Sequence, residues 1–136
     1  MPKFSARSLD VLAELHTDLQ TLFRVVIQYV DIALVCGYRG REAQHKAFLA
    51  GKSKVDWPNS RHNKSPSNAV DWQLCPDSKK VEDYYFVAGI IKGIALALFA
   101  QKKMFHNIRT GSDFNSNNRV SDDGWDAGHT ELVVPK

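Results

Sequence analysis

With 136 residues, of which 43% are hydrophobic, the chain has enough apolar material for a single cored domain over residues 1–136 and needs no disulfide framework. Its two cysteines, Cys36 and Cys75, lack C-x-x-C spacing, which excludes a thiolate zinc site and predicts two buried free thiols. The formal charge of +3 is spread along the sequence. The densest basic run, residues 39–54, is broken by Ala, Phe and Gly, so the basic stripe of a nucleic-acid binder is missing and only a mild attraction to an acidic polymer remains.

The first residues lead into an amphipathic segment rather than an apolar run with a small-residue cleavage site, so a cytosolic product without a signal peptide is expected. Ser8 is a candidate cap for a helix carrying Leu9, Leu12 and Leu15, and a second start at Thr17 or Asp18 sends Leu19, Leu22, Phe23 and Val26 along one face. Residues 31–37 form a short apolar run ended by glycine, which suits a buried strand. Residues 41–50 predict a helix with Ala43, Ala47 and Phe48 inward and Gly51 at its C-terminal cap. A polar, irregular stretch over 52–68 follows. Residues 69–74 alternate as a strand, with Ala69, Asp71 and Gln73 on one face.

The longest helical pattern covers 81–102, where Gly89 and Gly93 share a face open to close approach by another element. Its apolar part, 86–100, is interrupted by Lys92 and is shorter than the roughly 20 residues that span a bilayer, so a core helix without membrane insertion is expected. Short strands are predicted at 104–108 and 129–134, with an Asn-, Ser- and Asp-rich loop over 111–124 between them. Helices segregated from short strands give an α+β domain with a small, mostly antiparallel sheet.

Two segments carry the chemistry. Ser60-Arg61-His62 runs on to Asp71, and Asp126-Ala127-Gly128-His129 lies far downstream. His62, Asp71 and His129 offer two imidazoles and a carboxylate, the donor set of a catalytic zinc with one position left for water, and Asp126 is a nearby carboxylate that can act as general base. The ligands converge if the strands bearing Asp71 and His129 are neighbours. Asp71, between Val70 and Trp72, is costly to bury without a cation. Spacing alone leaves the zinc reading and a structural reading both open. His16, His45 and His106 receive no role. Asp113, Asn115, Asn117, Asp122 and Asp123 offer oxygens to a hard cation such as calcium, or form a mobile flap; the glycine and terminal glutamate of an EF-hand loop are absent.

These residues bring a resemblance. Ser60-x-His62, Ser67-x-Ala69-x-Asp71 and Asp126-x-x-His129-x-Glu131-Leu132, in that order, resemble the zinc motifs of the M15 peptidases, in particular the phage endolysins of the L-alanyl-D-glutamate peptidase type. Gly37-Tyr38-Arg39 with Gln44, and Gly111-Ser112-Asp113-Phe114, are similar to two further segments of that family. The resemblance implies the Hedgehog/D-Ala-D-Ala peptidase fold, with His62, Asp71 and His129 as zinc ligands, Asp126 as the base and Arg39 as the cation that steadies the substrate carbonyl. Gln44 supports Arg39 or is a surface amide; Ser60 braces the His62 loop or touches substrate. The chain departs from the family in the longer spacing from His62 to Asp71, in Ser67 where glycine is usual, and in Asp rather than Glu at 126.

The resemblance further implies peptidoglycan as substrate, bacteriolysis as outcome, a monomer without a separate wall-binding module, and accumulation in the host cytoplasm until a holin opens the membrane. A D,D-carboxypeptidase or dipeptidase of the same family, and a non-catalytic wall-binding domain with a structural metal, are the alternatives. A nucleic-acid-binding protein lacks motif support.

Overall fold

The computed structural model describes residues 2–120 and 126–134. Helices α1 (Ala6–Ala13), α2 (Thr17–Val26), α3 (Arg41–Leu49) and α4 (Val81–Ala100) accompany strands β1 (Ile32–Cys36), β2 (Ala69–Leu74), β3 (Ile108–Thr110) and β4 (His129–Leu132). A single 3₁₀ turn covers Arg61–Asn63. The sheet order is β1-β2-β4-β3 and every pairing is antiparallel, as the α+β expectation required.

The sheet has two chemically different faces because side chains alternate along a strand. On one face Trp72 donates its indole N–H to Thr130 Oγ1 at 3.1 Å and stacks on Tyr84 of α4, with ring centroids 5.5 Å apart. Leu12, Leu19, Leu22, Phe23, Ile91 and Leu98 from α1, α2 and α4 complete the core there with Leu34 and Leu132. Asp71, His129 and Glu131 project from the opposite face, away from α1, α2 and α4.

A bulge decides which face Cys36 joins. Leu34 pairs with Trp72 but Cys36 pairs with Asp71, so Val35 is an extra residue in β1. Without it Cys36 would follow Leu34 into the core; with it the thiol is brought beside Asp71.

Several local expectations shift. The cap of α1 is Ser5, whose Oγ accepts from Ser8 N at 3.1 Å; Ser8 itself is buried inside the helix and its Oγ accepts from Leu34 N, tying α1 to β1. In α3 the buried residue is Gln44, while Ala43 and Phe48 are exposed, the reverse of the apolar face expected. Gly51 does close that helix, at φ 73°, where glycine carries no steric cost. The strand expected at 104–108 forms at Ile108–Thr110. Both thiols are free as expected but only partly buried. Gly89 and Gly93 face open space rather than a packed neighbour among the described residues.

Candidate metal centre and active site

The register of β2 and β4 places Asp71 directly opposite His129, and His129 Nδ1 lies 3.0 Å from Asp71 Oδ1. His62 reaches the same carboxylate oxygen from the 3₁₀ turn, its Nε2 at 3.3 Å. Ser60 caps that turn: its Oγ accepts from His62 N at 3.2 Å, and its own N–H donates to Asn63 Oδ1 at 3.0 Å. Ser60 is therefore a brace of the His62 turn, although it also lines the cleft.

Hydrogen bonds choose the free nitrogen of each imidazole. His62 Nδ1 donates to Gly37 O at 2.7 Å, which leaves Nε2 facing Asp71. His129 Nε2 donates to Glu131 Oε1 at 2.9 Å, which leaves Nδ1 facing Asp71. Glu131 is in turn fixed by Arg61 at 3.5 Å and Arg109 at 3.4 Å, both on its Oε2. A carboxylate behind a histidine sets the ring's tautomer and orientation and raises its basicity as a ligand. Glu131 carries no role in the sequence motif alone; its place two residues after His129, on the same face of a buried strand, is the signal that identifies it.

Charge in this cluster is unbalanced in a way that fits a cation. His62 Nε2 is buried without a hydrogen-bond partner, since its approach to Asp71 Oδ1 lacks hydrogen-bond alignment. Burial disfavours the charged form of His62, but Asp71 and the Cys36 thiol outweigh it and push its pKa up to about 10. Burial likewise opposes the charged form of His129, and Asp71 and Glu131 raise it to about 9. Burial alone would raise Asp71, yet the two imidazoles hold its carboxyl far below the ordinary carboxylate range. Two lone pairs and a carboxylate aimed at one point are compatible only when protons or a metal ion lie between them. The donor set matches what a catalytic zinc takes from a protein.

Asp126 stands at the edge of this cluster. One carboxylate oxygen each of Asp126 and Asp71 and a ring nitrogen of His129 lie within 4.8 Å of one another, and Asp126 Oδ2 is 3.9 Å from His129 Nδ1. Burial, then the charge of Asp71, raises its pKa above the usual carboxylate value, the direction a general base requires. Two glycines hold it there. A Cβ on Gly111 would collide with the Asp126 carbonyl, and one on Gly128 would sit 2.5 Å from Trp72 O. Backbone bonds Gly111 N to His129 O (2.8 Å) and Asp126 N to Gly111 O (3.2 Å) use that closeness.

Arg39 reaches the centre from the turn after β1. Its Nη2 lies 3.3 Å from Asp71 Oδ2 and its Nη1 donates to Gln44 Oε1 at 3.1 Å. Gln44 is fully buried and acts as a hub. Its Oε1 also accepts from Asn63 Nδ2 at 3.1 Å, and its Nε2 donates to Ser53 Oγ at 2.9 Å and Val55 O at 2.6 Å. The surface-amide reading of Gln44 is thereby corrected: one side chain joins Arg39, the His62 turn and the cleft wall at 53–55. Ser67, at the family's glycine position, is buried with its hydroxyl 3.1 Å from Gly37 O and 2.7 Å from Ala69 O.

Phe114 lines the same cleft as Arg39, its ring centroid 5.9 Å from that of His129. In the loop read as a hard-cation site, the Asp113 carboxylate accepts from Asn117 N (3.1 Å) and Asn118 N (2.7 Å) and lies 3.8 Å from Lys92. Asp122 and Asp123 lie outside the described residues. A second His-Asp-His group, His16, Asp18 and His106, is already satisfied: His16 Nδ1 caps α2, and Asp18 Oδ2 holds His106 Nδ1 and Phe105 N.

Fold and site together define the class, a small α+β domain whose groups Cys36-His62-Asp71 and Asp71-Asp126-His129 can each offer a metal ion three ligand atoms. The family model of the phage L-alanyl-D-glutamate peptidases matches residues 1–133, and the chain belongs to that family of peptidoglycan peptidases. The fold is shared with the crystal structure of the Serratia marcescens L-Ala D-Glu endopeptidase ChiX, at a TM-score of 0.71 and 23% sequence identity, over 96% of this chain and 90% of that one. No curated protein matches.

Proposed function

We propose that the enzyme is a zinc-dependent endolysin that cuts the amide between L-alanine and D-glutamate in the peptidoglycan stem, with His62, Asp71 and His129 as zinc ligands and Asp126 as the base. The observation that carries the metal reading is the buried, unpartnered His62 Nε2 facing the same carboxylate oxygen as His129 Nδ1. When bound, zinc supplies Lewis acidity and makes water nucleophilic at neutral pH. The Asp126 carboxylate takes the proton of the attacking water and returns it to the departing D-glutamate nitrogen. Arg39, held planar between Gln44 and Asp71, directs its guanidinium at the carbonyl oxygen as negative charge develops there. Glu131 keeps His129 turned toward the ligand cluster, and Ser60 keeps His62 in place.

Lysis of the host then follows from wall cleavage, with access supplied by a holin that opens the membrane to an enzyme accumulated in the cytoplasm. Digestion of purified peptidoglycan by the zinc-loaded protein, with termini identified by mass spectrometry, tests the reading. New N-terminal D-glutamate is expected, whereas release of a terminal D-alanine would establish the carboxypeptidase alternative. Asp126→Asn is expected to keep its zinc and lose ~10²–10⁴-fold in rate, the contribution of a positioned base.

A further inference from the structure

Helix α4 is mostly apolar, its charged residues limited to Glu82, Asp83 and Lys92. Its 18-residue window has a mean hydropathy of 1.5, yet only 28% of that window is buried. Large apolar side chains left exposed along such a helix suit an apolar or lipid surface. The inner stripe of α4, Val87, Ala88, Ile91, Ala95 and Leu98, meets the core. The outer side leaves Phe86 73%, Leu96 54% and Phe99 41% exposed, and Phe105, just beyond the helix, is 75% exposed.

Charge distinguishes the two ends of this surface. At the N-terminal end the exposed Lys79 and Lys80 are offset by the exposed Glu82 and Asp83. At the C-terminal end Lys102 and Lys103 are exposed between Phe99 and Phe105, with no acidic residue from Ile94 to Asn107. Aromatic and aliphatic side chains beside lysines suit the boundary of an anionic bilayer, where the apolar groups enter the acyl region and the ammonium groups meet phosphates.

We propose that the C-terminal end of α4, with Leu96, Phe99, Lys102, Lys103 and Phe105, docks on the surface of an anionic phospholipid membrane. The helix lies on the bilayer and does not span it, because its inner stripe stays in the protein core. The geometry is compatible with catalysis. Tyr84 of α4 stacks on Trp72, on the sheet face opposite Asp71 and His129, so a membrane against α4 leaves the active-site cleft open on the far side.

Co-sedimentation of the full chain with vesicles tests this. Binding to phosphatidylethanolamine/phosphatidylglycerol vesicles is expected to exceed binding to phosphatidylcholine vesicles at least tenfold, and to weaken in high salt. Lys102→Glu with Lys103→Glu, and separately Phe105→Ser at a site outside any helix or strand, are each expected to lower that binding severalfold while hydrolysis of a soluble stem peptide is unchanged. Equal sedimentation with and without vesicles overturns the proposal, as does full binding by both variants. A concentration-dependent dimer in sedimentation velocity, abolished by Phe105→Ser and unaccompanied by vesicle binding, also overturns it and gives the surface to a second copy.

Discussion

Asp71 and His129 face each other across the β2–β4 pairing, and a single Asp71 oxygen lies 3.0 Å from His129 and 3.3 Å from His62. Two imidazoles therefore compete for one carboxylate. What occupies the space among them controls the pH behaviour of the protein.

In the metal-free protein that occupant is protons. His62 and His129 have folded pKa values raised to about 10 and about 9, against about 6.5 for a free imidazole. Stability from the charged imidazoles is thus fully present below pH ~6.5 and is lost as pH rises through about 9 and about 10. The melting temperature of chelator-treated protein is expected to fall between pH 7 and 10, and bound zinc to remove that fall. Because zinc displaces both protons, its apparent Kd should tighten ~100-fold per pH unit from pH 6.5 to 8.5. A metal-free melting temperature that is flat or rising over the alkaline range contradicts the assignment.

Glu131 offers a test of ligand orientation. Glu131→Gln weakens the acceptor that fixes His129 Nε2–H and leaves Arg61 and Arg109 without their anion. Zinc affinity is expected to drop ~10–100-fold, the usual effect of losing the group behind a metal-bound histidine. Titration against a chromogenic chelator measures it.

Much of this centre is legible in the sequence. Alternation over 69–74 locates the strand and puts Asp71 on its own face, and the need for neighbouring strands is met by the observed pairing with β4. The face of α3 departs from the apolar pattern because the rule that apolar residues point inward assumes a hydrophobic neighbour. Here the neighbour is the polar wall of the site, so Gln44 turns in and Phe48 turns out. The bulge at Val35 leaves no mark in the hydrophobic pattern, so the approach of Cys36 to Asp71 was hidden. Gly89 and Gly93 show the limit of reading small residues as packing signals, since no described atom beyond the local helix backbone and chain neighbours lies within 4 Å of a Cβ placed on either and both line a cavity beside residues 110–120.

Gln44→Met keeps the volume of the hub but removes its amide. The Asn63 Nδ2 and Val55 O partners then lose a buried hydrogen bond, for an expected stability loss of about 1–3 kcal/mol. Arg39 loses its second anchor, so kcat is expected to fall more than zinc affinity. Denaturant unfolding and zinc titration of the same preparation separate the two effects.

The central claim is tested most directly by the zinc content of the purified protein, measured by elemental analysis after equal loading and dialysis of wild type and a folded His129→Ala variant. The predicted result is a single zinc ion per chain in the wild type and almost none in the variant. Equal zinc in both proteins, or no zinc in the wild type, contradicts it.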